Sequence, residues 1–194
     1  MRIAVLGAGG VGGYFGARLA QAGHDVAFVA RGRHLAAMRE RGLTVKSTLG
    51  DIELARPTVT DDPATLGSVD VVLFAVKLWD TESAAEAVRP VVAKGGVIIP
   101  FQNGVESIDL LVRSVGAAHT AGGTTYVSAV VAAPGVITHV AMNRLIFGGL
   151  GNDRPPVLEA LRDVARAAGI DAVVSDEITK EIWAKFARLT VFSG

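Results

Sequence analysis

Six of the ten residues in Gly7–Gly16, GAGGVGGYFG, are glycine, and they follow directly on the apolar run Ile3-Ala4-Val5-Leu6. Glycine loses more conformational freedom on folding than other residues, so such a cluster needs a reason in backbone geometry or in a close neighbour. Gly7, Gly9 and Gly12 fit the spacing G-x-G-x-x-G, placed after a strand and opening a helix. In that setting the first glycine permits a tight turn, the second lets the backbone approach a pyrophosphate, and the third lets helix and strand pack closely. The backbone of Gly7, Ala8, Gly9, Gly10, Val11 and Gly12 is therefore a candidate phosphate cradle, with free N–H groups at the helix N-terminus. A glycine-rich turn with no ligand is the plain alternative; the strand, the helix and a second strand at the right distance favour a dinucleotide. Gly13 and Gly16 continue a small helix face and read as packing positions.

The remaining pattern agrees with that start. Arg2 to Leu6, Asp25 to Ala30, Val69 to Val76 and Gly96 to Pro100 read as nearly continuous apolar strands, as parallel strands buried on both faces do. Val11 to Ala22, Gly32 to Arg41, Thr81 to Val88 and Val105 to Val115 read as helices, the first two closed by Gly23 and Gly42. The alternation predicts an α/β chain with a Rossmann-like, doubly wound, mainly parallel sheet. Antiparallel additions are expected from Leu43 to Ala55, a hairpin turning near Leu49-Gly50, and from Gly122–Val131, Val136–Ala141 and Arg144–Phe147, joined through Pro134-Gly135 and Met142-Asn143. A helix over Pro155 to Ala168 and a strand over Ala172 to Val174 complete a unit of residues 1–174.

Residues 175–194 read as a different object. Asp176 is a candidate N-cap for a helix with Ile178, Ile182, Phe186, Leu189 and Phe192 on one face. This helix is expected to be the start of a helical substrate or dimerisation domain, truncated here, or else to pack on a second copy of the chain.

Composition narrows the function. The 194 residues are half hydrophobic and one-fifth charged, with no cysteine and a formal net charge of zero. Disulfides, thiolate metal sites and cysteine nucleophiles are excluded, and net charge offers no case for nucleic acid or membrane surfaces. Residues 1–46 nevertheless carry seven Lys/Arg against two Asp/Glu, which suits an anionic ligand. No apolar stretch approaches the roughly 20 residues of a bilayer span, and a cytoplasmic protein is expected. The four histidines lack metal-ligand spacing, so no metal is expected.

The second strand ends FVARGRH, where an NAD site generally places a carboxylate for the ribose hydroxyls. Arg31 stands there instead, and a guanidinium can bind a 2′-phosphate bidentately. NADP(H) is the expected cofactor; a solvated arginine opening a helix is the alternative. Lys77 closes VDVVLFAVK and Asn103 follows VIIPFQ, both beyond the carboxyl ends of strands, where ligands bind in such sheets.

The combination GAGGVG, ARG, AVK, FQNGVES and DEITKEIWAKF resembles the ketopantoate reductases (2-dehydropantoate 2-reductases) over the whole chain, as a cofactor domain plus the first helix of a helical domain. The resemblance implies NADPH-dependent reduction of a 2-keto acid to a 2-hydroxy acid, on the route to pantothenate. It implies that Lys77 and Asn103 lie near cofactor and substrate, that the backbone at Val127 touches NADP, and that Lys185 is the general acid. The helical pattern tests the last of these, because Lys185 falls within the apolar stripe and Lys180 opposite it. A lysine there is destabilising unless it has a task or a partner, and desolvation makes it a better proton donor. A snorkelling lysine is the alternative. The family tends to carry asparagines four and eight residues after this lysine, where this chain has Leu189 and Ser193. Ser193 remains a candidate substrate contact, whereas Leu189 cannot replace an amide. Two further readings follow: a non-catalytic NADP-binding or self-associating module, and a dehydrogenase for a different hydroxy acid.

Overall fold

The computed structural model describes residues 1–192. Five strands, β1 (Arg2–Leu6), β2 (Asp25–Val29), β5 (Thr58–Thr60), β6 (Val69–Phe74) and β7 (Val92–Pro100), form one sheet in the order β5-β2-β1-β6-β7. All four pairings are parallel. The strand order reverses between β1 and β6, and a crevice opens at such a reversal beyond the carboxyl ends.

Strand alternation assigns the two faces. Ile3 and Val5 of β1 join a core shared with α1 (Gly10–Gln21), while Ala4 and Leu6 pack with Ala84, Ala85 and Val88 of α3 (Thr81–Val88) and Leu111 of α4 (Ser107–Val115). Helix α1 is the middle layer. A Cβ at Gly16 would come within 2.6 Å of the Phe28 ring, and one at Gly13 would strike the side chain of Ile137 in the second sheet. Both glycines are packing positions, as expected. Helix α2 (Gly32–Arg41) follows β2 and ends at Gly42.

The second sheet runs β10-β9-β3-β4, with β8 also paired to β9. Its strands are β3 (Leu43–Ser47), β4 (Ile52–Leu54), β8 (Gly122–Ala133), β9 (Val136–Gly148) and β10 (Asp171–Val174). The expected hairpin over Leu43–Ala55 is β3 and β4. Strand β8 follows one edge of β9 along nearly its whole length; β3 and β10 share the other edge, at residues 136–139 and 144–147 of β9. The turn expected at Met142-Asn143 is absent, since the two predicted strands are one. Val127 pairs with Asn143 and Ser128 with Ala141, leaving Met142 as an extra residue at φ 60. That is a bulge, a bend that keeps pairing on both sides. The Met142 carbonyl can only accept, so His139 Nε2 donates to it at 2.7 Å and Nδ1 faces the Ser47 hydroxyl at 2.9 Å.

Helix α5 (Pro156–Ala167) buries Leu158, Leu161 and Ala165 in the main core. Helix α6 (Ile178–Phe192) sets Ile178 and Ile182 against Ile146 of β9. Asp176 does not cap it: its carboxylate pairs with Arg154 at 2.7 Å, and the Ser175 hydroxyl accepts the Glu177 N–H instead. Over the described side chains of the predicted stripe, cover falls off after Ile182. Phe186 is half-buried and Leu189 is 39% exposed.

Candidate active site

A cleft of about 370 Å³ opens beyond the carboxyl ends of β1, β2 and β6. Gly7, Ala8 and Gly9 form its floor. Gly7 adopts φ 95, and a Cβ there would lie 2.8 Å from the Ala75 carbonyl, so the turn accepts no side chain. A Cβ at Gly9 would meet nothing within 4 Å, which leaves its backbone open to the cleft. The first internal bond of α1 runs from the Gly13 N–H to the Gly9 carbonyl at 2.7 Å. The N–H groups of Gly10, Val11 and Gly12 precede it and have no acceptor within the helix. Gly9 has no side chain with which to cap them. Three amide donors at the positive end of a helix beside an open glycine fit a diphosphate.

Cations and carboxylates share the walls. Arg31, exposed at the N-cap of α2, and Lys77, exposed just after β6, both line the cleft. So do Asp61 and Asp80, residues that motif reasoning missed. Asp61 is turned to Arg39, 3.0 Å away. Its position depends on β5, three β-branched residues too short to show a periodicity. The third wall comes from far along the chain. Val131, near the tip of the β8–β9 hairpin, lines the cleft, and the Gly135 N–H at the tip donates to Nδ1 of His34 on α2 at 3.1 Å. Burial lowers the His34 pKa.

Lys185 and Asn103 meet at a second place. Lys185 Nζ donates to Asn103 Oδ1 at 3.2 Å and lies 5.7 Å from the centre of the Tyr126 ring. Burial pushes the pKa of the Lys185 ammonium down. Lys180 points to solvent and pairs with Glu177 at 3.1 Å. A second cation, Arg188, stands 5.6 Å from the same ring. Val127 follows Tyr126 on β8, beside the bulge and two residues before Ala129, whose carbonyl lies against Gly10; it does not line the cleft itself. Ser193 lies outside the described residues. Gly7, Ala8, Gly9, Arg31 and Lys77 are thus brought to one cleft, with Gly10, Val11 and Gly12 in the helical turn behind it. Asn103 and Lys185 form a separate pair.

The family described as ketopantoate reductase PanE/ApbA matches residues 3–152. The chain belongs to the ketopantoate reductase family. An uncharacterized oxidoreductase of Bacillus subtilis is 31% identical over the whole chain, and a 2-dehydropantoate 2-reductase of Pyrococcus abyssi is 34% identical over 95% of it. The chain spans 64% and 60% of those two relatives. Among solved structures, the 2-dehydropantoate 2-reductase of Porphyromonas gingivalis superposes with a TM-score of 0.88 at 37% identity, over 96% of this chain and 68% of that one. In this ketopantoate reductase family member, no helix among the described residues is long and apolar enough to cross a membrane. No three His, Asp or Glu side chains among those residues converge as a metal site would need.

Proposed function

We propose that this chain is the cofactor-binding and proton-donating part of an NADPH-dependent reductase that converts a 2-keto acid, of the ketopantoate kind, to a 2-hydroxy acid. Residues 1–174 are the cofactor domain in this reading, and 175–194 begin the helical part that completes the site. The Lys185–Asn103 pair carries the proposal: a partly buried ammonium that meets a neutral amide and an aromatic ring, and pairs with no carboxylate among the described residues, keeps its charge for an incoming anion.

The glycine floor and the amides of Gly10, Val11 and Gly12 hold the diphosphate. Arg31 selects the 2′-phosphorylated coenzyme, helped by the absence of a carboxylate at the end of β2. Lys77, and Val127 through its backbone, complete the cofactor contacts. Bound there, a reduced nicotinamide supplies the hydride. The ammonium at Lys185 Nζ stabilises the negative charge that collects on the keto oxygen and then gives up a proton to it. Asn103 Oδ1 orients that ammonium without neutralising it, as a carboxylate would. The resulting amine regains its proton from water. Lys77, Asn103 and Ser193 remain the proposed substrate contacts.

Leu189 supports a second reading of the substrate. It stands one helical turn after Lys185 and is partly exposed, where it offers an apolar surface and no hydrogen bond. A 2-keto acid with an apolar substituent suits that position.

The test is NADPH oxidation across a panel of 2-keto acids by the longest chain that the source encodes, with Lys185→Ala as control. Turnover of at least one keto acid, reduced about 100- to 10,000-fold by the substitution, is expected. The 194-residue chain alone is expected to bind NADPH in a fluorescence titration with little turnover. No NADPH binding, or full activity in Lys185→Ala, overturns the proposal.

A further inference from the structure

Gln102, peptide-bonded to Asn103, is buried at 9% exposure although its side chain ends in a polar amide. Its Nε2 donates to the Val76 carbonyl at 3.0 Å and to the Thr81 hydroxyl oxygen at 2.9 Å. The Thr81 hydroxyl proton goes to the Leu78 carbonyl at 2.6 Å. Both of the amide's contacts are therefore acceptors, which fixes its orientation. Its Oε1 is buried with no donor.

These contacts bracket one short segment. Val76 opens and Thr81 closes the stretch that carries Lys77, whose own side chain is exposed, as is Trp79. One side chain thus grips both ends of the Lys77 segment from a backbone position adjoining Asn103. An apolar side chain of the same length would free the place of the buried Oε1 but would take away the donor that both ends of the segment share, so the amide, and not packing alone, holds Val76 and Thr81.

We infer that Gln102 is a positioning residue, which holds Lys77 of the cofactor cleft in register with Asn103 of the Lys185 pair. The inference rests on the reading of the cleft as an NADPH site. It makes Gln102 the link between two clusters that share no direct side-chain bond among the described residues.

The experiment is a double-mutant cycle on the 194-residue chain, with NADPH as ligand, read as Kd from fluorescence titration and as melting temperature from circular dichroism. Gln102→Met is expected to weaken NADPH about tenfold. Lys77→Ala should weaken it comparably. The double variant should be no weaker than Lys77→Ala by more than about threefold, because the amide acts through the lysine. A Gln102→Met chain with wild-type Kd, whatever its melting temperature, overturns the inference, as do fully additive losses. If Gln102→Met fails to fold, Thr81→Val replaces it. It removes one acceptor and should weaken NADPH about threefold, with no further loss when added to Lys77→Ala; a wild-type Kd or an additive loss is again refuting. A wild-type chain that ignores NADPH refutes the underlying reading, and this inference with it.

Discussion

Gly10 stands so close to the Ala129 carbonyl that a Cβ would strike it, whereas the neighbouring Gly9 faces open space. The two glycines have different reasons to be there. One lets the β8–β9 hairpin lie against the start of α1, and the other leaves the floor of the cleft bare.

Substituting each separates those roles. Gly10→Ala is expected to lower the melting temperature by about 5 °C, from overpacking of about 1–3 kcal/mol in a chain of this size. Gly9 sits at φ −75 and ψ −162, which alanine adopts freely. Gly9→Ala should leave the melting temperature unchanged or raise it by about 2 °C, yet weaken NADPH at least about tenfold by putting a methyl group into the proposed diphosphate site. Calorimetry and fluorescence titration on both variants check the contrast.

Arg31→Asp should reverse coenzyme choice. Loss of the guanidinium and gain of a like charge should weaken NADPH on the order of 100-fold. NADH, with ribose hydroxyls that a carboxylate accepts from, should change by no more than about threefold. Parallel titrations decide it; equal losses for both coenzymes would refute the role of Arg31.

As the proposed proton donor, the Lys185 amine would set a pH dependence. Burial holds its pKa below the ordinary lysine value of 10.5, and only the protonated form can donate. Reduction should therefore decline as pH rises through that lowered value, on the acid side of 10.5. Asn103→Asp sets a carboxylate against the ammonium, favours the charged form and should move the decline upward by on the order of one pH unit. A pH–rate profile of the longest chain tests this. Carbon NMR titration of reductively methylated lysines tests the same shift in the 194-residue chain.

Met142 sits at φ 60, in the left-handed region that side chains occupy at some strain. Met142→Val should lose about 1–2 kcal/mol, a fall of roughly 4 °C, because a β-branched residue fits that region worst. Met142→Gly should hold the melting temperature within about 2 °C. Thermal melts followed by circular dichroism are sufficient.

Local sequence determined a good deal of this protein. The runs of β1, β2 and β6, the glycine turn after β1, and helices α1, α2 and α3 are encoded by periodicity and backbone chemistry within about a dozen residues each, which is why they can be read without a structure. The presence of Lys185 on the apolar side of α6 was legible for the same reason. Tertiary structure decided the rest, because it depends on partners distant along the chain. Thr58–Thr60 is β-branched throughout but too short to be read as a strand by itself; the open edge of β2 fixes it, and it carries Asp61 to the cleft. Met142 becomes a bulge, where its sequence suggested a turn, because β8 holds β9 on both sides of it. The His34–Gly135 contact spans 101 positions and the Lys185–Asn103 contact 82. No periodicity reports which residue will lie opposite at such distances. Packing chooses the partner, and burial then gives the Lys185 amine a chemistry that its sequence position alone does not.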